Sequence, residues 1–438
     1  MRITIYRGTH EIGGSCVEIE DKGSRIVIDI GMPLVSSNGG RFDIKAFNNI
    51  TGQQLVQEKV LPDIKGIYPW DKTVSAIDGL LISHAHMDHF GLYSYVRDDI
   101  NYYLGEGTKK LIDISSLFLT QKSTLTDCTY LKSGHPIHIG SFTIKPFLMD
   151  HSAFDAYAFL IESEDGKKVF YSGDFRGHGR KSKVFQWTLE NVPKDVDLLM
   201  LEGTHIPGSD RTEDRETDIE DKIVEKVKDC PTIVFVTQAS QNIDRLVSVY
   251  KAAIRTNRLL VIDIYTAIIL DTLKDYAKLP HPSKAFDNIR IFYPKSISKI
   301  IVDKMGKNTL YQFKSFRIGL KEISEKLSSI IMIMRPSMKK YLDRLGDISG
   351  APLIYSMWKG YLGDESMKPF LDTITKMDLQ LQVIHTSGHA DIKTLKQLVD
   401  ALNPKSLVPI HTFHPEAYEA TFPGVKILHA DDGVAFTI

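Results

Sequence analysis

Residues 80–91 read LLISHAHMDHFG, and within six positions of that stretch stand His84, His86, Asp88 and His89. The cluster follows a short apolar run directly. In a loop after a strand, such donors can face two neighbouring points, as two ions sharing one pocket require. Imidazole with carboxylate suits zinc, or manganese where oxygen donors weigh more. With 15 His in 438 residues, a chance H-x-H-x-D-H run is expected in about one such chain per thousand. Unrelated surface histidines are therefore the weaker reading, and the rest of the chain must supply further donors.

Outward from that stretch, the runs alternate between strand and turn. IDGLLIS (77–83) reads as a buried strand that delivers His84. Upstream, RITIYRG (2–8) and SCVEIEDKGSRIVIDIG (15–31) read as short strands, with a turn at Asp21 to Ser24 that makes an antiparallel hairpin. Residues 36–75 are rich in Gly, Asn and Pro and read as a long loop in which TGQQLVQEKVLP (51–62) is helical. Downstream, SFTIKPFLM (141–149) ends before Asp150 and His151, KKVFYSGD (167–174) ends on Asp174, and VDLLMLEGTH (196–205) carries Glu202. Each run is apolar and finishes on a side chain able to ligate or move a proton. Loops gathered at one sheet edge would bring these ends to one site.

The totals bound the alternatives. A chain of 438 residues with 42% hydrophobic content can bury a sizeable core in two domains or one elaborate one. Cys16, Cys128 and Cys230 show no C-x-x-C spacing, so they read as buried small residues in a reducing cytoplasm. Lys and Arg (54) balance Asp and Glu (55), so total charge names no polyanionic partner. The start, MRITIYRGTHEIGG, suits a strand and not a secretory signal, and no run approaches the roughly 18 apolar residues of a membrane span. A cytoplasmic protein with no membrane partner is expected.

A change of periodicity marks a second region. DRTEDRETDIEDKIVEKVKD (210–229) reads as a solvated surface helix with one apolar stripe, Ile219, Ile223 and Val227. PTIVFVT (231–237), a helix from Gln241 to Arg255 and RLLVIDI (258–264) form a strand, helix, strand unit of parallel type. This region begins near residue 205 and runs to about 378. Its basic stretch PKSISKIIVDKMGKNTLYQFKSFR (294–317) reads either as lining for a nucleic-acid groove or as ordinary helical surface, and Trp358 of YSMWKGYLGDE (355–365) reads as core in preference to a ring that stacks a base. The tail, LQVIHTSGHADIKTLKQLVDALNPKSLVPIHTFHPE (381–416), is strand, loop, helix, strand, loop, with histidines where strands end.

The order H-x-H-x-D-H, a histidine after a strand, YSGD, then a distant histidine resembles the metallo-β-lactamase superfamily. The resemblance implies an α/β fold of αββα layers. It implies one ion on His84, His86 and His151, a second on Asp88, His89 and His411, and Asp174 bridging them. Both would be divalent, zinc or alternatively manganese, with a hydroxide activated between them as nucleophile. Asp29 in VIDIG matches a carboxylate that orients a ligand histidine without itself binding metal.

From Asp174 to His411 is 411 − 174 = 237 residues, a gap that resembles the β-CASP insertion of nucleases in this superfamily. Glu202 falls at that family's motif A, His389 of HTSGHA at motif B and His411 at motif C, where a histidine favours RNA over DNA. The implied division is 1–204 and 379–438 for the lactamase-type domain and 205–378 for the inserted α/β β-CASP domain. The nearest resemblance is to the ribonuclease J group. TQASQNIDR (237–245) resembles the opening of that group's inserted domain, and His385 and Ser387 occupy positions that help to hold a substrate phosphate. The chain ends shortly after motif C, so that group's C-terminal domain is expected to be absent.

The implied activity is hydrolysis of single-stranded RNA, by internal cuts, from the 5′ end, or both. His389 would protonate the leaving oxygen, Glu202 would orient His389, and Asp88 would serve both metal and reaction. A DNA nuclease and a small-molecule ester hydrolase are the alternatives, and a non-catalytic RNA- or protein-binding relative is a reading of another class. His389 as a loop histidine and Glu202 as a strand-end cap are the structural readings of those two residues. Asp155, His178 and His414 lie near the motifs without an assigned role.

Overall fold

The computed structural model of the chain describes residues 1–36, 39–47, 50–72, 76–119, 125–208 and 212–438. Two units emerge: Met1–Thr212 with Gly388–Ile438, and Glu213–Ser387. The sequence placed the divisions at 204/205 and 378/379. The first lies later because Ile206 is buried in the core of the first unit. The second lies later because strand Gln380–Val383 pairs in parallel with Pro352–Tyr355 of the second unit.

The first unit is built on two seven-stranded sheets. In spatial order the first runs Ala435–Thr437, Arg2–Arg7, Cys16–Asp21, Ser24–Ile28, Gly79–Leu81, Tyr102–Leu104, Cys128–Tyr130. The hairpin read from the sequence is present: Asp21 pairs with Ser24, and Lys22 (φ 48°) and Gly23 (φ 85°) make the two-residue turn whose twist matches the strands. The second sheet runs Lys426–Ile427, Ser406–Ile410, Leu198–Glu202, Lys168–Tyr171, Ala156–Glu162, Phe142–Met149, Ile137–Ile139. Alternation decides what packs where. Ile3, Ile5, Val17, Ile19, Ile26 and Ile28 meet Ile144, Phe159, Ile161, Val169, Tyr171 and Met200 in one buried layer. Leu160, Phe170, Leu199, Leu201 and Leu407 point the other way, onto Phe185, Leu395, Leu398 and Leu402 of helices Ser182–Asn191 and Ile392–Leu402. Each such side chain contributes roughly 1.5–3 kcal/mol on burial.

The second unit carries a six-stranded parallel sheet in the order Ile289–Phe292, Leu259–Asp263, Ile330–Ile333, Val234–Thr237, Pro352–Tyr355, Gln380–Val383. Helix Glu216–Lys228 is less solvated than its charge suggests: Ile219, Ile223 and Val227 are fully buried, and so is Glu216. Glu216 takes both arms of the buried Arg245 guanidinium, at 3.1 Å each. Residues 210 and 211 of that reading lie outside the described residues.

Within the long loop, the helix is confined to Gly52–Gln57, where Thr51 and Gln54 form a capping box; residues 37–38, 48–49 and 73–75 of the loop lie outside the described residues. Cys16 is buried, but Cys128 and Cys230 are only half-buried, the first on the edge strand of its sheet and the second in the turn after a helix. All three are free thiols. Trp358 is not core. It is 61% exposed because it opens the turn Lys359–Gly363 beyond the end of a strand, with its ring edge against Tyr361 at 5.2 Å. Among the described residues no helix is long and apolar enough to cross a membrane.

Candidate metal centre

Strand direction explains why distant residues meet. Ser24–Ile28 and Gly79–Leu81 are parallel neighbours, and they lead into Asp29 and His84. Lys168–Tyr171, Leu198–Glu202 and Ser406–Ile410 are likewise parallel, and they lead into Asp174, Glu202 and His411; Phe142–Met149 leads into His151. Asp29 (φ 61°) and His411 (φ 51°) adopt the left-handed backbone that costs a non-glycine residue roughly 1–2 kcal/mol. That bend turns each side chain abruptly out of its strand.

The donor-rich loop is held by its backbone. Ile30 N–H donates to the His89 carbonyl (2.8 Å), Met32 N–H to that of Met87 (2.9 Å) and Ser15 N–H to that of Asp88 (2.9 Å). Gly31 makes this approach possible, since a Cβ there would lie 1.7 Å from the Asp88 carbonyl oxygen.

The donor atoms form two adjoining groups. His86 Nδ1 lies 3.1 Å from His84 Nε2 and 3.2 Å from His151 Nε2. Donors about 2.0–2.1 Å from a tetrahedral zinc are about 3.3 Å apart, so this tripod fits. In the second group His89 Nε2 lies 3.0 Å from Asp174 Oδ2, and His411 Nε2 lies 3.4 Å from Asp88 Oδ2 and 3.7 Å from Asp174 Oδ2. Asp174 Oδ2 is also 3.8 Å from His84 Nε2, which puts this carboxylate at the edge shared by both groups. Glu202, His389 and His411 form a third cluster of metal-ligand spacing.

A layer of partners fixes these rings. Asp29 is fully buried and accepts from Ser83 N–H (2.7 Å), the Ser83 hydroxyl (2.8 Å), the Tyr171 hydroxyl (2.8 Å) and His89 Nδ1 (2.8 Å). His151 Nδ1 donates to the Gly388 carbonyl at 2.6 Å. Thr204 Oγ1 lies 3.1 Å from His389 Nδ1 and 3.0 Å from His411 Nδ1. Glu202 accepts from Thr204 N–H (3.0 Å) and Ala390 N–H (3.2 Å) and stands 3.5 Å from His389 Nδ1. The cap reading of Glu202 and the histidine-orienting one therefore describe a single carboxylate. His389 remains partly open to solvent, at 21% of its side chain.

The electrostatics separate the groups by role. Burial, reinforced by neighbouring imidazoles, holds His84 and His151 well below the usual histidine range, and burial brings His86 down to about 4. Their lone pairs therefore face inward without protons at neutral pH. Burial pushes against charge at His89 too, but the Asp174 and Asp29 carboxylates outweigh it and keep that ring protonated. Asp88 lies at about 2, since the His411 hydrogen bond and the His89 charge overcome its burial; Asp174 is likewise held well below the usual range by His411, His89 and His389. Burial also opposes charge on His389, yet Glu202 and Asp174 raise it to about 9. Three neutral imidazoles beside buried carboxylates are a donor set that asks for cations, and the residues fit divalent ions.

Sequence reasoning passed over Ser83, Tyr171, Thr204 and Gly388. All four adjoin recognised residues, in LLISH, YSGD, LEGTH and SGHA, but a hydroxyl or carbonyl partner carries no spacing of its own. His385 and Ser387 lie in the second unit, where His385 Nδ1 is 3.4 Å from Arg245 Nη1. Asp155 accepts from Gly107 N–H (2.8 Å) at the start of helix Glu106–Ser116, which is a structural role. His178 is buried, and the exposed His414 pairs with Glu416 at 3.0 Å.

The chain is similar to several known proteins. Residues 56–222 match the beta-lactamase superfamily domain, and residues 376–420 match a Zn-dependent metallo-hydrolase RNA specificity domain. Ribonuclease J of Helicobacter pylori (strain ATCC 700392 / 26695) is 24% identical over 437 residues, covering 94% of this chain and 56% of that protein. Ribonuclease J of Mycobacterium tuberculosis is 20% identical over 463 residues, covering 99% and 74%, and that of Mycoplasma genitalium is 22% identical over 443 residues, covering 94% and 67%. The chain thus spans little more than half the length of the Helicobacter relative. A crystal structure of a protein of unknown function from Enterococcus faecalis V583 matches with a TM-score of 0.80 at 22% identity, over 100% of this chain and 99% of that one, and shares the fold. In its motifs and in these matches, the chain is similar to the metallo-β-lactamase superfamily and, within it, to ribonuclease J.

Proposed function

We propose that the protein is a metal-dependent ribonuclease that hydrolyses phosphodiester bonds of single-stranded RNA. The observation that carries this reading is Asp174 at the shared edge of two donor groups, with the partly open His389 beside it. His84, His86 and His151 would hold one divalent ion, and Asp88, His89 and His411 a second, with Asp174 serving both. Ions bound there neutralise a scissile phosphate and lower the pKa of a water. The matched RNA specificity domain and the ribonuclease J relatives support RNA as substrate.

The chain's own residues divide the remaining work. Asp29 holds His89 through Nδ1 and the Gly388 carbonyl holds His151 through Nδ1, so Nε2 of each ring would face a cation, His89 giving up its Nε2 proton as the cation binds. Glu202 and Asp174 favour a proton on His389, which would donate it to a leaving oxygen. Thr204 keeps the His389 and His411 rings in register. His385 and Ser387 would hold a substrate phosphate.

The test uses single-stranded RNA labelled at either end, carrying a 5′-monophosphate or a 5′-hydroxyl, with zinc or manganese supplied. Matching DNA, a generic ester and Asp174→Ala stand beside it. Mononucleotides released from the monophosphorylated RNA define a 5′ exonuclease, and internal fragments define an endonuclease. Cleavage of DNA alone, or of the ester alone, would replace the RNA reading with one of those hydrolase classes.

A further inference from the structure

Among the described residues, some surface cations of the second unit stand against carboxylates, and others, such as Lys278, Lys340 and Lys368, do not. Lys222 pairs with Asp214, Arg255 with Glu220 (3.1 Å) and Asp221 (2.5 Å), Lys274 with Asp271 (2.8 Å), Lys321 with Glu325 (4.0 Å) and Lys326 with Glu322 (2.9 Å). Between residues 294 and 317 cations are dense and, among the described residues, none is paired with a carboxylate. Lys295, Lys299, Lys304, Lys307, Lys314 and Arg317 are all exposed. Among the described residues none of the six has a carboxylate within 4.0 Å. The stretch holds a single acid, Asp303, so its balance is 6 − 1 = +5 in a chain whose net charge is −1.

The stretch is anchored to the sheet. Ile297 and Ile301 anchor helix Lys295–Met305 by their burial, and Phe313 and Ile318 anchor the segment that follows. Tyr293 Oη donates to the Leu310 carbonyl (2.9 Å), Ile318 N–H donates to that of Ile291 (3.0 Å), and Arg317 lies over the Tyr293 ring at 5.5 Å. These contacts tie the segment to strand Ile289–Phe292 at the edge of the sheet. Tyr311, within the same stretch, has 63% of its surface exposed. Like charges held together without counter-ions repel one another, and a chain bearing one phosphate per nucleotide relieves that repulsion. An exposed aromatic ring beside them offers a stacking platform for a base.

We infer that this basic edge of the second unit is a docking surface for single-stranded RNA, gripping the phosphate backbone without regard to sequence. The inference rests on RNA being the substrate. The test compares wild-type protein with a variant carrying Lys295→Gln, Lys299→Gln, Lys304→Gln and Lys307→Gln. A control of equal charge change carries Lys222→Gln, Lys274→Gln, Lys321→Gln and Lys326→Gln, all carboxylate-paired. Binding of a fluorescent oligouridylate of about 20 nucleotides is followed by anisotropy with chelator present, from about 50 to 300 mM salt. Four lost phosphate contacts make the slope of log affinity against log salt shallower by about 4 × 0.7 ≈ 2.8, or about 10²-fold in affinity at about 0.15 M salt. The control should keep the wild-type slope. An unchanged slope in the first variant, an equal loss in the control, or no oligouridylate binding by wild type each overturns the docking surface. Cleavage of RNA by wild type, measured separately with metal, keeps the two questions apart: cutting with an unchanged slope removes only the surface, and the slope change without cutting removes only the nuclease.

Discussion

Replacing Asp29 by Asn tests the whole account of the metal centre with a change of one heavy atom. Asp29 Oδ1 accepts from Ser83 N–H, and an amide oxygen can do the same. Oδ2 accepts from the Ser83 and Tyr171 hydroxyls and from His89 Nδ1, each at 2.8 Å, and an amide nitrogen there becomes a donor. The two hydroxyls can rotate to accept. His89 Nδ1 can accept only by giving up its own proton, which leaves the ring protonated on Nε2, the atom 3.0 Å from Asp174 that would offer its lone pair to a cation. Stability should fall by about 1–3 kcal/mol through the lost charge assistance. Zinc affinity should fall by about 10- to 100-fold, or about 1.4–2.7 kcal/mol. Competition with a chromogenic chelator measures the affinity, and thermal melting of the metal-free proteins measures the stability. An Asp29→Asn variant that binds zinc within about twofold of wild type would refute the orienting role of Asp29 and the ligand role of His89 together.

Further expectations address other parts of the structure. Gly31→Ala forces a Cβ to within 1.7 Å of the Asp88 carbonyl oxygen, so a loss of about 3 kcal/mol or more in chemical denaturation is expected; full stability with full zinc content would show that the loop can move aside. His389→Gln should lower turnover on RNA by about 10²-fold or more while zinc content by elemental analysis stays at the wild-type level, and lost zinc would make His389 a ligand. Arg245→Met leaves the Glu216 carboxylate buried without its cation and should cost about 3–5 kcal/mol, most of it regained when Glu216→Gln is added; a double variant no more stable than the single would place the loss elsewhere. Zinc at about 100 times its dissociation constant should raise the unfolding free energy by about 2.7 kcal/mol per independent site, and no shift in melting temperature on adding zinc would remove the metal centre.

Much of this molecule was legible before its structure because the informative residues are either crowded or periodic. His84 to His89 are crowded, and a strand that ends on Asp174 or His411 is marked by the apolar run before it. Hairpin residues 16–28 could be read because Lys22 and Gly23 supply the turn that the alternation requires. What escaped depends on pairing across long separations. Strand Gln380–Val383 reads locally like the start of the returning lactamase segment, and only its ladder with Pro352–Tyr355 assigns it to the second unit. Thr204 joins two histidines contributed by the return segment, and no local pattern announces a shared hydroxyl. Trp358 looked like core because large aromatics usually bury, whereas its exposure follows from a turn beyond a strand end.

The first unit is closed by its returning segment. Ser406–Ile410 is an interior strand of the second sheet, Ala435–Thr437 pairs with Arg2–Arg7 in the first, and His411 arrives only with them. While the chain is being made, the tripod residues and Asp174 emerge long before that strand does. Two edges of unfinished sheet stay open meanwhile, and 411 − 174 = 237 residues separate Asp174 from its partner His411. The second unit is continuous in sequence, and once folded it shortens the loop that closure must bridge. A chain halted within the second unit therefore carries an incomplete donor set on an incomplete sheet. Synthesis itself keeps the centre unassembled until the returning strand has been made.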